Sequence, residues 1–172
     1  MGFRKYVFRE YSSKFLNYFK KEKGYLKSVI PYNIEIGHVG STSIKDMKGK
    51  GIIDILIGVK DKKEILKIKN IVKKEGYKST WVRGPKDKIS LEKDYGIFRK
   101  RRLHVHVTFI NSTSWREYVL LRDYLRKNPK VAKKYEEIKK EAMKVSKGNG
   151  RKYQLYKKDF LDNIKKEVLI KK

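Results

Sequence analysis

Cysteine is absent from this chain, and that absence removes disulfide frameworks, cysteine-ligated zinc and thiol nucleophiles. Histidine and proline are scarce, with three of each. Acid is also short: 19 Asp and Glu stand against 46 Lys and Arg, a formal net charge of +27. No apolar run reaches bilayer length, and Met1–Glu10 lacks the apolar stretch of a signal peptide. A cytoplasmic protein with no membrane partner is therefore expected. What is present argues against wholesale disorder: 39% hydrophobic residues, 12 Tyr and 7 Phe in 172 residues can fill the core of one domain.

A field of +27 attracts polyanions, and nucleic acid bound non-specifically through the basic surface is the expected macromolecular partner. The plainer reading is a lysine-rich surface of the kind some thermophiles carry, but ion-pair networks of that kind need more acid than this chain has.

The patterning reads as helix, strands with a crossover helix, then a helical tail. Aromatic and aliphatic residues at helical spacing predict a helix over Phe8–Ile30, stopped by Pro31, with Gly24 as a candidate interruption. Ile34–Val39 predicts a short strand, Gly40–Ser43 a turn, and Ile52–Val59 a strand covered on both faces. A capping signal at Asp61–Glu64 opens a helix to about Lys74, ended by Gly76. Tyr77–Val82 reads as a strand, Arg83–Asp87 as a loop and Tyr95–Arg99 as a further strand. Arg102–Phe109 alternates cleanly, Leu103, Val105, Val107 and Phe109 opposing Arg102, His104, His106 and Thr108. A capping box at Ser114–Glu117 begins the tail, Asn128-Pro129 divides its first two helices, and the third spans Arg151 to about Ile170. The expected fold is one α/β (α+β) domain over 1–172, a mixed-sheet core to about 110 and a helical C-terminal part from about 111.

Two features carry chemistry. Asp54 sits inside Gly51–Ile57, where an ionised carboxylate is costly unless it is paired or binds something. Gly40-Ser41-Thr42-Ser43 follows a strand, where small residues let backbone N–H groups and hydroxyls approach a phosphate. A phosphate cradle beside a metal-ligating carboxylate is the minimum equipment for phosphoryl or nucleotidyl transfer. Each feature also has a bland reading: an Asp paired with a nearby Lys or Arg, and an ordinary Gly-Ser turn.

Residues 36–59, with His38-x-Gly40-Ser41-Thr42 and Lys50…Ile52-Ile53-Asp54, resemble the GrpB-like family of the nucleotidyltransferase superfamily. The resemblance resumes at Leu103-His104-Val105-His106 and Leu121–Pro129, then at Tyr135, Lys139, Tyr153, Lys157 and Phe160. It spans about Tyr32 to Val168. It implies a nucleotidyltransferase-like mixed sheet with a helical C-terminal part. In active superfamily members a Gly-Ser turn holds triphosphate oxygens, while a carboxylate pair two residues apart and a third from a later strand hold divalent metals. Here Asp54 falls at the second carboxylate of the pair and Ile52 occupies the first.

On that resemblance Gly40, Ser41, Thr42, Lys50 and Arg102 are expected at phosphates, and Asp54, His104 and His106 at a divalent ion. Mg or Mn is implied by the superfamily; an Asp with two His also suits Zn, Fe or Ni. Half-exposed strand residues remain the bland reading of His104 and His106. Arg102 closes a basic turn, Arg99–Arg102, that is either solvated or a clamp on an anionic substrate. His38, Tyr153 and Lys157 are candidate substrate contacts; Tyr153 and Lys157, four apart on a helix, equally suit a packed Tyr with a snorkelling Lys. Two functions stand: metal-dependent transfer of a nucleotidyl or related phosphoryl group to an acceptor, or an inactive nucleotidyltransferase fold that binds nucleotide or nucleic acid.

Overall fold

The computed structural model describes residues 7–80, 85–95 and 101–170. Helix α1 (Lys14–Val29) runs through Gly24 without a break. Strand β1 (Glu35–Val39), a 3-10 turn at Ser41–Ser43 and β2 (Ile53–Val59) follow. Then come α2 (Lys62–Lys74), β3 (Lys78–Ser79), β4 (Lys88–Tyr95) and β5 (Arg101–Phe109). Three helices complete the chain: α3 (Thr113–Lys127), α4 (Pro129–Ser146) and α5 (Gly150–Ile170).

The five strands form one mixed sheet in the order β1-β2-β5-β4-β3. Only β2 and β5 run parallel, joined through the crossover helix α2; the other neighbours are antiparallel. Asp54 pairs with His104 and Leu56 with His106, so the Asp54 strand lies beside the histidine strand as expected.

Strand periodicity makes the two faces chemically different. Ile36, Ile53, Ile55, Ile57, Leu91, Leu103, Val105 and Val107 fill one face and pack on Phe19 and Leu26 of α1 and Ile68 and Val72 of α2. Burying each such aliphatic chain contributes about 1.5–3 kcal/mol, and this face is the main core. The opposite face carries Asp54, His104, His106, Ser90, Glu92, Arg102 and Thr108, and α3 lies across part of it. Gly58 of β2 makes room for Trp115 of α3: a Cβ there would come within 2.9 Å of Trp115 Cε3. A second cluster of Ile44, Met47, Leu125, Tyr135 and Ile164 ties the helical tail to the segment between β1 and β2.

The structure departs from the sequence reading in four places. The first helix begins at Lys14 rather than Phe8, and Arg9 instead forms an isolated antiparallel bridge with Gly49. β4 covers Lys88–Tyr95, where no strand is expected before Tyr95. The strand expected at Tyr77–Val82 is the two-residue β3; residues 81–84 and 96–100, with the rest of that expectation, part of the Arg83–Asp87 loop and most of Tyr95–Arg99, lie outside the described residues. Helix α3 is capped by Ser112, whose hydroxyl accepts from Trp115 N at 3.0 Å. Ser114, the expected cap, instead donates to Asp87 at 2.6 Å. The Asp61 cap of α2 is as expected, accepting from Lys63 N at 2.8 Å.

Candidate functional site

On the polar face, Asp54 of β2 and His104 and His106 of β5 each offer a donor atom, all within 4.8 Å of one another. Asp54 Oδ1 is 3.4 Å from His104 Nδ1 and 3.5 Å from His106 Nε2. The Asp54 side chain keeps 21% of its surface exposed, so the cluster is reachable from solvent. The far nitrogens of both rings face β4, whose register sets Ser90 opposite His106 and Glu92 opposite His104. His106 Nδ1 is 3.0 Å from Ser90 Oγ. His104 Nε2 lies 3.4 Å from Glu92 Oε2 but out of line with it, and this buried atom has no well-aligned hydrogen-bond partner. Tyr118 of α3 stacks on His106, centroids 4.8 Å apart, and accepts from Lys88 Nζ at 3.0 Å.

These contacts set the charge states. Burial opposes ionisation of Asp54, but hydrogen bonds from His104 and His106 outweigh it and hold the carboxyl far below its usual range. Burial likewise disfavours protonated His104, yet Asp54 and Glu92 on either side raise it to about 9. His106 goes the other way, lowered by burial despite Asp54. The donor set, one carboxylate and two imidazoles, fits a divalent ion that accepts nitrogen ligands.

Next to this cluster the backbone turns at Gly40, with φ +70. A Cβ on Gly40 would come within 2.9 Å of Asp54 Cγ, so only glycine lets the turn lie against the carboxylate. Beyond the turn, Ser41 Oγ and Lys139 Nζ approach Gly49 from the same side, at 2.8 and 3.4 Å from a Cβ placed there. Lys139 is 2% exposed and donates to the Lys48 carbonyl. Lys50 Nζ sits 3.6 Å from the Tyr153 ring centroid, and Lys157 Nζ lies 5.0 Å from the same ring. Burial, then the neighbouring Lys157 charge, lowers Lys50 and Lys139 each to about 7. Burial lowers Lys157 too, and pushes Tyr153 up to about 12. Among the described residues no carboxylate forms an ion pair with Lys139 or Lys157. Buried ammonium groups without carboxylate partners favour an anion.

The structure thus sets the Gly40 turn against Asp54 and Asp54 beside His104 and His106, with Lys50, Tyr153 and Lys157 near enough for the Asp54 charge to act on them. Three other expected site residues are engaged elsewhere. His38 stacks on Phe19 of the main core, centroids 4.6 Å apart, and lies on the opposite face from Asp54; burial lowers it to about 4. Thr42 is buried, its hydroxyl donating to the Ile52 carbonyl at 2.8 Å and lying 3.0 Å from His38 Nε2. Arg102 contacts Asp94 at 3.1 Å and Glu92 at 3.2 Å, so its guanidinium serves carboxylates of β4. Of the Arg99–Arg102 turn, Arg99 and Lys100 lie outside the described residues. Four neighbours escaped the sequence reading as site residues: Ser90, Glu92, Tyr118 and Lys139. For Ser90 and Glu92 the missed signal is the alternation Ile89, Leu91 against Ser90, Glu92.

The family model described as GrpB protein matches residues 6–167. Glutamate-rich protein GrpB of Alkalihalophilus pseudofirmus is 33% identical over 161 residues, 92% of each chain. The crystal structure of conserved protein GrpB from Enterococcus faecalis has a TM-score of 0.81 at 29% identity, covering 96% of this chain and 98% of that one. A weaker likeness is to Cid1 poly(U) polymerase, with a TM-score of 0.48 at 16% identity over 76% of this chain and 45% of that one.

Proposed function

The chain belongs to the GrpB family, and from that premise we propose a metal-dependent nucleotidyltransferase-like protein that moves a nucleotidyl or related phosphoryl group to an acceptor. One observation carries the reading: the Asp54, His104 and His106 donors share a sheet face with the Gly40–Ser41 turn and its lysines. Phosphoryl transfer needs little covalent help from a protein and much positioning and charge neutralisation, which such a face can supply.

Asp54, His104 and His106 would hold the divalent ion. Once bound, the ion would polarise a phosphoryl oxygen and neutralise charge developing on it. Ser41 Oγ would donate to a phosphate oxygen, and the Gly40 turn would let it approach Asp54. Lys50, Lys139 and Lys157 would take up the remaining phosphate charge, with Tyr153 holding Lys50 and Lys157 on its ring. Lysine suits this role as a compact charge with rotatable donors.

A second reading has its own support. Ile52 stands where active superfamily members resembling this chain have their first carboxylate, and its carbonyl is taken by Thr42. On that reading the fold binds nucleotide, or nucleic acid through its basic surface, without transfer. Calorimetry with nucleoside triphosphates, with and without Mn²⁺ or Mg²⁺, separates the two. Metal-dependent binding abolished in Asp54→Ala supports transfer chemistry; metal-independent binding unaffected by that change supports the module.

A further inference from the structure

Metal-binding histidines work as ligands through one ring nitrogen, and the other is normally held by an acceptor that fixes tautomer and ring orientation. Here both far nitrogens face the same strand. His106 turns Nε2 toward Asp54 and has Ser90 Oγ at 3.0 Å from Nδ1. His104 turns Nδ1 toward Asp54 and has Glu92 Oε2 at 3.4 Å from Nε2. The match is a consequence of register: Ser90 and Glu92 are two apart on β4, as His106 and His104 are on β5, and the strands pair them directly. Arg102 then holds Glu92 from the other side at 3.2 Å, neutralising a carboxylate that would otherwise repel Asp54.

Building on the metal reading above, we infer that β4 is the outer shell of a single-ion, nitrogen-preferring site. Ser90 and Glu92 are positioning residues: Ser90 accepts the far ring N–H of His106, and Glu92, 3.4 Å from His104 Nε2 but out of line with it, comes into line as its acceptor when Nδ1 takes the ion. They leave His106 Nε2 and His104 Nδ1 directed at one ion beside Asp54. A set of two imidazoles and one carboxylate suits zinc, manganese, iron, cobalt or nickel, whereas magnesium prefers an all-oxygen octahedron that keeps its waters. The engagement of Glu92 by Arg102 leaves Asp54 as the carboxylate for the ion. The competing account of the same geometry is a metal-free ion pair, protonated His104 between Asp54 and Glu92.

The test uses the full chain stripped of metal and titrated calorimetrically with Zn²⁺, Mn²⁺, Co²⁺ and Mg²⁺, with the visible absorption of bound Co²⁺ as a second readout. Wild type binds the first three with one-to-one stoichiometry and Mg²⁺ more weakly. Glu92→Gln and Ser90→Ala each lower Zn²⁺ affinity by roughly 10–100-fold, the scale on which outer-shell partners act. Both shift the Co²⁺ spectrum, and Glu92→Asp restores part of the loss. If wild type binds these ions and neither variant changes affinity or spectrum, β4 is not the outer shell and the metal reading stands without it. Mg²⁺ binding as tightly as Zn²⁺, or two ions binding, overturns the selectivity without any variant. No ion binding to wild type overturns the metal reading itself and leaves the ion-pair account.

Discussion

Gly40 lies against the Asp54 carboxylate in a left-handed turn, φ +70, and a Cβ added there would come within 2.9 Å of Cγ. Two independent requirements meet at one position: an extended positive-φ backbone region, essentially reserved for glycine, that costs an L-residue about 1–3 kcal/mol, and a space that no side chain fits. Gly40→Ala is therefore expected to displace Asp54 from the histidines as well as strain the turn. The measurable outcome is a modest drop in melting temperature with a disproportionate loss of divalent-ion binding. Ion affinity equal to wild type in a folded Gly40→Ala protein would show that the carboxylate does not depend on the turn.

What the sequence made legible follows the contrast between neighbouring residues. β5 is readable because Leu103, Val105 and Val107 alternate with charged and polar partners, and the same alternation placed both histidines on one face. β4 is not, since Lys88–Tyr95 has apolar residues only at Ile89 and Leu91 before the terminal tyrosine, and its polar side faces the site. A strand whose inward groups are Ser90 and Glu92 looks like solvated loop until its partner strand is known. His38 misled for the opposite reason: it lies within a motif that carries chemistry, yet strand parity turns its ring to the apolar face against Phe19. The helix start was misjudged because a Ser-x-x-Glu pattern at Ser114 matches a capping box, while Asp87, distant in sequence, claims that serine.

The contribution of Lys139 to stability should rise with pH above neutrality, against an opposite contribution from His104, whose value of about 9 makes the folded chain keep a proton that the unfolded chain loses above about 6.5. Burial lowers Lys139 from 10.5 to about 7, so between those values the unfolded chain binds a proton the folded chain lacks. The penalty for charging the buried amine is fully present below about pH 7 and is relieved as pH rises toward 10. One such group contributes at most about 1.4 kcal/mol per pH unit. Chemical denaturation of the metal-free protein from pH 7 to 9.5 reads the sum of the two, and Lys139→Met is expected to lower its slope with pH. Identical slopes for the two proteins would mean that Lys139 stays charged in the folded state.

The same lysines should make anion binding take up protons. At pH 8 groups with values near 7, such as Lys50 and Lys139, are mostly neutral, and a phosphate chain placed beside them favours the charged form. Calorimetry of a nucleoside triphosphate in buffers of different ionisation enthalpy is expected to report net proton uptake at pH 8. Affinity should fall from pH 7 to 9, and Lys50→Met should reduce both the uptake and the affinity. Binding without proton exchange would place the phosphates away from these amines.

Affinity for polymers should separate from affinity at this site. The net charge of +27 is spread over exposed lysines such as Lys133, Lys134 and Lys140 on α4, whereas Lys139 on the same helix is 2% exposed. The first set faces solvent, open to a polymer's phosphates, whereas Lys139 is enclosed against the Lys48 carbonyl beside Ser41. Each neutralised phosphate releases condensed counterions, so a complex with 6–10 such contacts loses roughly 10³–10⁵ in affinity between 50 and 200 mM salt. Oligonucleotide binding is therefore expected to collapse with salt, to weaken when Lys133, Lys134 and Lys140 are changed together to Ala, and to ignore Lys139→Met. Nucleoside triphosphate binding should do the reverse, with a shallow salt slope, indifference to the triple change and loss in Lys139→Met. Parallel filter-binding and calorimetric titrations over that salt range check both halves. If Lys139→Met weakens oligonucleotide and nucleotide equally, the polymer engages the site by its end, and the charged surface is a guide to the site rather than a separate binding face.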